Sequence, residues 1–244
     1  MICLIMERRE GKKQMLNSFS AHSEVIEEMR KQRLFSIGHS NHDQAWFLQL
    51  LQRTSITAVA DVRSQPFSRR FPQFNWPELE RALRALDIGY AFLGEFLGGR
   101  PRHLGLYDPE GQVDYERVRQ TEMFQQGLSH LEEVLKSNRV ALLCSEEDPL
   151  HCHRGLMIAP ALVERGRAVW HLRGDGSVET ARQAEDRLLA ETGVGAGILD
   201  GLFAAAVTEE ERSELLGEAY RMQARRRAFR LRPAVADEEE NTKE

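Results

Sequence analysis

One segment determines how this chain folds: VALLCSEEDPLHCHR, residues 140–154. Its apolar run, residues 140–143, predicts a strand of a parallel sheet that is buried on both faces. The polar residues that follow, with Pro149 among them, prevent the sheet hydrogen bonding from continuing. Apolar residues then recur at helical spacing from Leu156 onwards, and Gly166 is the predicted C-cap of that helix. The segment therefore predicts a strand, a loop and a helix in succession.

Two of the three cysteines lie in this unit. Cys144 is at the carboxyl end of the strand, and Cys152 is where the helix begins, followed by His153 and Arg154. The N-terminus of a helix carries partial positive charge and free N–H groups, which favour thiolates and bound anions. We therefore predict that the active centre lies here, with the sulfur of Cys152 partly exposed.

Strands and helices alternate on both sides of this unit. Four more strands are predicted, over residues 34–38, 56–62, 90–93 and 168–172. The longest helix is predicted over residues 115–136, with Met123 on its buried face, and Asn41 with Gln44 is a predicted capping pair of an earlier helix. This alternation predicts an α/β fold with three layers, in which a mainly parallel sheet has helices on both faces.

The chain divides into four predicted regions. A capping box at Thr208 and Glu211 predicts a late helix over residues 209–229, and another is predicted over 179–191. The regions are a polar, poorly ordered leader (1–32), the α/β domain (33–176), a helical C-terminal extension (177–232) and an acidic disordered tail (233–244).

Composition narrows the function classes. A net charge of −5 and a pI near 6.0 argue against a generally basic nucleic-acid binder, and 41% apolar residues suffice for a sizeable core. No run of about 18 apolar residues is present, so no membrane partner is predicted. Three cysteines in 244 residues do not make a disulfide scaffold. We expect a cytoplasmic protein with reduced thiols.

Ionisable residues are concentrated at the predicted carboxyl edge of the sheet, where ligands bind in such folds. They are His39, Asp61, Arg63, Cys144, Glu146 and His171. Since random strand ends would include uncharged residues, this concentration favours a shared site.

Three interpretations of the site remain open. In the first, Cys152 beside His153 and Arg154 is a thiolate nucleophile, because such surroundings lower a thiol pKa to about 3.5–7.5. The cysteine-x5-arginine spacing of phosphatase and sulfurtransferase loops is absent. In the second, Cys144 and Cys152 bind a metal with His151 or His153, and with Asp61 or His39. The cysteine spacing is not that of a zinc finger, so no metal is assigned and the cofactor is left unknown.

The third interpretation is anion binding by arginine side chains, which match phosphate and carboxylate geometry. The arginines in or beside the loops at this edge are Arg63, Arg69, Arg70, Arg100, Arg102 and Arg154. Two of them lie in the loop over residues 94–111, whose length predicts a cover over the site.

These residues also form a recognisable pattern. In order, it comprises Ser36-Ile37-Gly38-His39-Ser40, Asp61-Val62-Arg63 with Pro66 and Ser68-Arg69, Leu97-Gly98-Gly99, and Cys144-x-Glu146 to Cys152-His153-Arg154. Over about Leu34 to Gly176, the chain resembles the uncharacterised family catalogued as domain of unknown function 488. The resemblance implies an α/β domain, suggests an enzyme through its cysteines and histidines, and brings no substrate. Some relatives carry labels connected with DNA repair.

We therefore expect a cysteine-dependent enzyme that acts on a phosphate- or carboxylate-bearing molecule at the carboxyl ends of the strands. Its expected class is a thiol- or metal-dependent hydrolase or transferase. The predicted catalytic residues are Cys152, Cys144, His39, Asp61, His153 and Glu146. His39 or His153 is the expected acid/base, and Asp61 is expected to orient it. The predicted substrate-binding residues are Arg63, Ser68, Arg69, Arg154 and Arg100. The alternative is a nucleic-acid-associated module that uses the arginine-rich loops and the cluster from Arg225 to Arg232. The oligomeric state is left open.

Overall fold

The computed structural model describes Met29, residues 31–196 and residues 207–231. The predicted acidic tail and nearly all of the predicted leader lie outside these residues. No helix of the described ranges is both long enough and apolar enough to cross a bilayer.

A six-stranded sheet forms the centre of the structure. Its strands are Leu34–Gly38 (β1), Ala58–Asp61 (β2), Gly89–Phe92 (β3), Val140–Cys144 (β4), Trp170–Leu172 (β5) and Val178–Thr180 (β6). They are arranged in the order β3-β2-β4-β1-β5-β6, and every neighbouring pair is parallel except β5 with β6. The predicted α/β fold with a mainly parallel sheet is confirmed.

The central strands β1 and β4 are buried along their whole length and end level with each other, since Gly38 pairs with Cys144. Two hydrogen bonds extend the pairing beyond the strands. The His39 N–H donates to the Cys144 carbonyl at 3.0 Å, and the Ser40 N–H donates to the Ser145 carbonyl at 2.8 Å. The start of the loop after β4 is thus held as part of the sheet.

Helices cover both faces of the sheet. They are Gln44–Arg53 (α1), Trp76–Arg84 (α2), Gly94–Leu97 (α3), Tyr115–Arg119 (α4), Glu122–Ser137 (α5), Ala159–Glu164 (α6), Ala181–Thr192 (α7) and Glu209–Arg227 (α8). Because neighbouring residues of a strand point to opposite faces, Ala141 and Leu143 join the core beneath α1 and α2. Leu142 and Cys144 join the core beneath α5, α6 and α7. The three predicted layers are present.

The prediction of one helix over residues 115–136 is wrong, because this range forms two separate helices, α4 and α5. Thr121 divides them: its hydroxyl accepts a hydrogen bond from the Phe124 N–H at 3.2 Å and caps α5. Met123 lies in the first turn after this cap and is 57% exposed, although it was predicted to be buried.

The cap of α1 also differs from the prediction. Asp43 is the N-cap, and its carboxylate accepts a hydrogen bond from the Ala45 N–H at 2.7 Å. Asn41 lies too early, and the side chain of Gln44 donates to the Gln73 carbonyl instead.

The sheet continues beyond Gly176. Residues 178–180 form β6 where a helix was predicted from Glu179, and α7 begins only after its capping residue, Thr180. The capping box predicted at Thr208 and Glu211 is confirmed at the start of α8.

Candidate active site

Two free cysteines lie close together at the carboxyl edge of the sheet. Cys144 ends β4, and Cys152 follows a short 3-10 turn over Pro149–His151. The Cys152 carbonyl accepts hydrogen bonds from the N–H groups of Gly155 (3.1 Å) and Leu156 (3.0 Å), so the next helix begins here. Both cysteines are only 3% exposed. The prediction that the Cys152 sulfur is partly exposed is therefore wrong.

The helix that begins at Cys152 opens with a π-helical turn over Arg154–Ile158 and continues as α6. Such wider turns occur frequently at functional sites. Pro160 is at the start of α6, so its missing N–H falls where the helix changes from π to α. Gly155 allows the turn to pack closely on the loop, because a Cβ there would lie 2.2 Å from the Pro149 carbonyl oxygen.

His153 connects the two sulfurs to the neighbouring strand. Its Nε2 lies 3.0 Å from the carbonyl oxygen of Val62, just after β2. Because a carbonyl oxygen only accepts hydrogen bonds, Nε2 carries the hydrogen and Nδ1 is left to face the thiols. Nδ1 lies 3.6 Å from the Cys144 Sγ and 3.7 Å from the Cys152 Sγ. The imidazole can therefore exchange a proton with either sulfur.

The surroundings separate the acidities of the two thiols. Burial opposes ionisation of Cys152, but a hydrogen bond from Cys144 and the positive charges of Arg154 and His153 lower its pKa well below the ordinary thiol value. Burial raises the pKa of Cys144, and its hydrogen bond with Cys152 raises it further. Burial disfavours the imidazolium of His153, yet the negative charge of Cys152 raises the pKa of the ring. Cys152 is thus the more acidic thiol of the pair; its role as a nucleophile stays a prediction.

Glu146 links the buried sulfurs to the surface. The residue is exposed, but its carboxylate turns inward, and Oε2 accepts a hydrogen bond from the Cys144 Sγ at 3.3 Å. Burial of this carboxylate and the negative charge of Cys152 raise its pKa. It also lines an open groove between the loop after β4 and the end of α8. The residues of this arginine-flanked groove are Glu146, Glu147, Asp148, His151, Arg226 and Arg227.

Cys144, Glu146, Cys152 and His153 form a cluster at the edge of the sheet. Arg154 is fully buried beside this cluster. Its guanidinium donates to the carbonyl oxygens of Glu146 (2.6 Å) and Glu147, and its Nε donates to the Ser36 hydroxyl at 3.2 Å. The same hydroxyl lies 2.7 Å from Nδ1 of His171, whose pKa burial lowers to about 3. Arg154 therefore ties the loop after β4 to the helix start, with a neutral His171 beneath it.

Ion pairs attach the same loop to the C-terminal part of the fold. Asp148 accepts from Arg187 of α7 at 2.8 Å and from Arg173 at 3.3 Å. Burial works against ionisation, but the hydrogen bonds from Arg187 and from the Leu150 N–H lower the pKa of Asp148 to about 2. Arg173 also pairs with Glu147 at 2.9 Å. The loop after β4, which carries Glu146, is thus held by Arg154 on one side and by Arg173 and Arg187 on the other.

The predicted catalytic pair His39 and Asp61 lies at the same edge with other partners. His39 stacks on Phe74 with the ring centroids 4.5 Å apart, and burial lowers its pKa to about 4. Asp61 is fully buried, pairs with Arg63 at 2.6 Å and accepts from the Tyr90 hydroxyl at 2.8 Å. Asp61 therefore orients Arg63, where the sequence led us to expect it to orient a histidine.

The other predicted substrate-binding residues lie in the loops around the site. The Ser68 hydroxyl accepts from the Phe71 N–H at 3.2 Å, and Arg69 is exposed. The Arg100 guanidinium stacks on Phe229 at 4.5 Å from the ring centroid. Arg69 and Arg100 are thus the exposed cations among the residues assigned to substrate binding in the described chain, and Arg63 and Arg154 are buried.

The segment predicted as a loop over residues 94–111 contains a short helix, α3, and a 3-10 turn at Leu104–Leu106. It packs on the cluster. A Cβ on Gly99 would lie 2.8 Å from the His153 Cγ, so the loop backbone rests against the imidazole ring. The Arg100 N–H donates to the Ser64 hydroxyl at 3.0 Å and fixes this position. The loop therefore contacts His153 at Gly99, and its role as a cover over the site stays a prediction.

Sequence reasoning missed three contributors to the site. The Val62 carbonyl has no side-chain signature, and Ser36 was noted only as part of a motif. Tyr115, the first residue of α4, belongs to the same core as both cysteines, and burial together with the charge of Cys152 raises its pKa. An aromatic residue at the start of a helix carries no signal that distinguishes this position from ordinary packing.

The cluster also has the donors of a soft-metal site. Among the described residues, Cys144, Cys152 and His153 are the one group of at least three such side chains whose ligand atoms lie within 4.8 Å of one another. Two thiolates, an imidazole and a carbonyl behind the ring are suited to Zn²⁺ with an open fourth position. The same cysteine and histidine side chains are suited both to zinc binding and to thiolate chemistry.

The comparison with known families places this cluster inside a recognised domain. The family model described as domain of unknown function DUF488 matches residues 44–159, which include both cysteines, His153 and Arg154. The resemblance inferred from the sequence motifs is confirmed over this range. No curated protein matches the chain.

Proposed function

Starting from a chain that carries a DUF488 domain over residues 44–159, we propose that it is a cysteine-dependent enzyme with Cys152 as nucleophile and a small anionic molecule as substrate. One observation carries the proposal: Nδ1 of His153 lies 3.6 Å and 3.7 Å from the two sulfurs, while the Val62 carbonyl holds Nε2. A thiolate beside an oriented imidazole is the arrangement that activates cysteine for covalent catalysis.

Each residue of the cluster has a role in this proposal. Nδ1 of His153 takes the proton of the Cys152 thiol, the resulting thiolate attacks an electrophilic centre of the substrate, and the imidazolium donates the Nδ1 proton to the leaving group. The Cys144 thiol has one hydrogen, which it donates to the Cys152 thiolate before attack and to Glu146 at other times. Glu146 carries protons between Cys144 and the groove, because its carboxylate contacts the thiol while the residue reaches solvent.

Charges along the route to the sulfurs favour an anion. Arg226 and Arg227 are exposed where they flank the groove, whereas Asp148 and Glu147 on its other side are neutralised by ion pairs. The anionic group of the substrate contacts the two arginines, and the buried Arg154 contributes its fixed charge nearer the sulfur. Because both cysteines are buried, substrate entry requires the loop at Gly99 to lift.

The proposal is tested by the pH dependence of Cys152 alkylation with iodoacetamide in a Cys3→Ser protein. The expected midpoint lies well below the ordinary thiol value of about 8.5, with Cys144 unmodified over the same range. Peptide mass spectrometry distinguishes the two cysteines, and the same protein unfolded in urea gives the ordinary midpoint as a control. A midpoint in the folded protein at or above that of the urea control contradicts the proposal.

A nucleic-acid-associated module is a second proposal. It is supported by the exposure of Arg69 and Arg70 in one loop and of Arg225, Arg226 and Arg227 at the end of α8. Arg63 cannot contribute, because its guanidinium is buried against Asp61. Labelled single- and double-stranded DNA would bind with an affinity that falls steeply as salt is raised; binding that is absent at low salt rules this out. Both proposals place the protein in the cytoplasm, where its thiols stay reduced.

A further inference from the structure

The two cysteines differ in a way that suits them for consecutive steps. Cys152 lies between a 3-10 turn and a π-helical turn, next to the positive charges of Arg154 and His153. Cys144 ends a central strand, and its thiol contacts the Glu146 carboxylate at 3.3 Å. A nucleophile and a second thiol with its own proton acceptor are therefore adjacent.

We propose a further activity at this site, in which Cys144 and Cys152 exchange with a small anionic disulfide and alternate between a dithiol and an intramolecular disulfide. The inference rests on the nucleophilic Cys152 of the proposed function and adds Cys144 as the resolving thiol. Both cysteines are free in this structure, and their sulfurs lie within 4.8 Å of each other. A disulfide bond of about 2.05 Å then requires these two sulfurs to approach each other from a separation within 4.8 Å.

The reaction has two balanced steps. Cys152 S⁻ attacks one sulfur of the substrate RS–SR′, the substrate S–S bond breaks, and R′S⁻ leaves with the proton from Nδ1 of His153. Cys144 then transfers its proton to Glu146 and attacks the Cys152 sulfur, which breaks the mixed disulfide and releases RS⁻. The two cysteines lose two electrons and the substrate disulfide gains them. A dithiol reductant returns the protein to its starting state by the reverse exchange.

The surroundings select the size and charge of this substrate. Both cysteines are buried, and the loop at Gly99 packs on the neighbouring His153, so a disulfide held in a folded protein does not fit this site. Arg226 and Arg227 flank the open groove that leads to Glu146 and favour carboxylates on the substrate. A small disulfide with free carboxylates fits both conditions.

The test uses the Cys3→Ser protein with oxidised glutathione as the anionic probe and cystamine as the cationic one. After acid quenching, peptide mass spectrometry should show Cys144 joined to Cys152 with no glutathione retained, and faster reaction with oxidised glutathione than with cystamine. The Cys144→Ser variant, in the same background, should stop at a glutathione adduct on Cys152. Thermal unfolding shows whether this variant is folded.

The outcomes separate the two proposals. If Cys152 alkylates with a low midpoint but the Cys3→Ser protein itself accumulates the glutathione adduct, Cys144 is not a resolving thiol and the dithiol activity is overturned alone. If Cys152 reacts with neither iodoacetamide nor disulfides at neutral pH, both proposals fail. Equal rates with the two probes overturn the preference for an anionic substrate.

Discussion

The Nε2 atom of His153 lies 3.0 Å from the carbonyl oxygen of Val62, at the end of the strand next to the one that carries Cys144. This hydrogen bond fixes the tautomer of the imidazole, so Nδ1 faces the sulfurs of both cysteines. A main-chain atom just after a different strand thus determines which imidazole nitrogen faces the thiols.

Replacing His153 by alanine should slow alkylation of Cys152 at pH 7 on the order of 10- to 100-fold, because the thiol loses its cationic partner and each pKa unit changes the thiolate fraction about tenfold. The rate is measured with iodoacetamide in the Cys3→Ser background. His130→Ala, an exposed histidine on α5, serves as the control and should leave the rate unchanged. An unaltered rate in His153→Ala would remove this histidine from the proposal.

The ion pairs of Asp148 should stabilise the fold above about pH 4. Its pKa is lowered from 3.8 to about 2, so the stabilisation is fully present above the unfolded value and disappears as the pH falls through the folded one. Asp148→Asn should therefore reduce the free energy of unfolding by about 2 kcal/mol at pH 7. Urea unfolding at pH 7 and at pH 2.5 measures the loss, which should shrink in acid; a pH-independent loss would contradict the assignment.

His171 should make the wild-type fold sensitive to mild acid. Burial lowers its pKa from 6.5 to about 3, so below the unfolded value the unfolded chain binds a proton that the folded protein does not. Its contribution to the free energy of unfolding should fall by up to about 1.4 kcal/mol per pH unit between those values. His171→Asn cannot take up that proton, so urea unfolding between pH 7 and pH 4 should give a shallower slope. A slope equal to that of the wild type would show that His171 titrates normally.

The close approach of the loop to His153 can be tested at Gly99. Gly99→Ala should cost about 1–3 kcal/mol of stability, because the new methyl group meets a buried imidazole. Gly89→Ala is a matched control, since a Cβ at that strand position has its nearest neighbour at 3.6 Å. The control should change the free energy of unfolding by less than about 0.5 kcal/mol. Similar losses in both variants would mean that the loop yields without resistance.

Removing metal should not change the reactivity of Cys152 if the cluster acts through its thiolate. Dialysis of the purified protein against EDTA and phenanthroline should leave the rate of iodoacetamide alkylation as it was, because no bound cation masks the sulfur. A faster rate after chelation, with zinc recovered in the dialysate, would assign the three donors to a metal instead.

The sequence allowed the convergence of the cluster to be predicted, but not its internal partnerships. Cys144, Glu146, Cys152 and His153 were expected together because parallel strands end at a common edge and one loop connects the two cysteines. The pairing of Asp61 with Arg63 was missed, although the residues are two apart at a strand end. The Val62 carbonyl could not have been foreseen, because any residue type would supply it.

Two local features were also predicted wrongly from the sequence: a helix cap and a short strand. Thr121 carries the cap that divides α4 from α5, but the apolar spacing around it continues and suggested one helix. The three residues of β6 are too few to show an alternating pattern, and their pairing with β5 depends on the turn before them. Burial of Cys152 depends on the tertiary packing of the core cluster that it joins, which helical periodicity does not describe.

The two hydrogen bonds that carry the pairing of β1 and β4 past the strand ends have a kinetic consequence. They make the backbone around Cys144 open only when the sheet opens, which is a rare global event. The loop over His153 is anchored at Gly99 and Arg100 by a side-chain contact and can open locally at much lower free energy. Solvent and reagents should therefore reach His153 on the timescale of loop motion, while the backbone around Cys144 stays in place during such an opening.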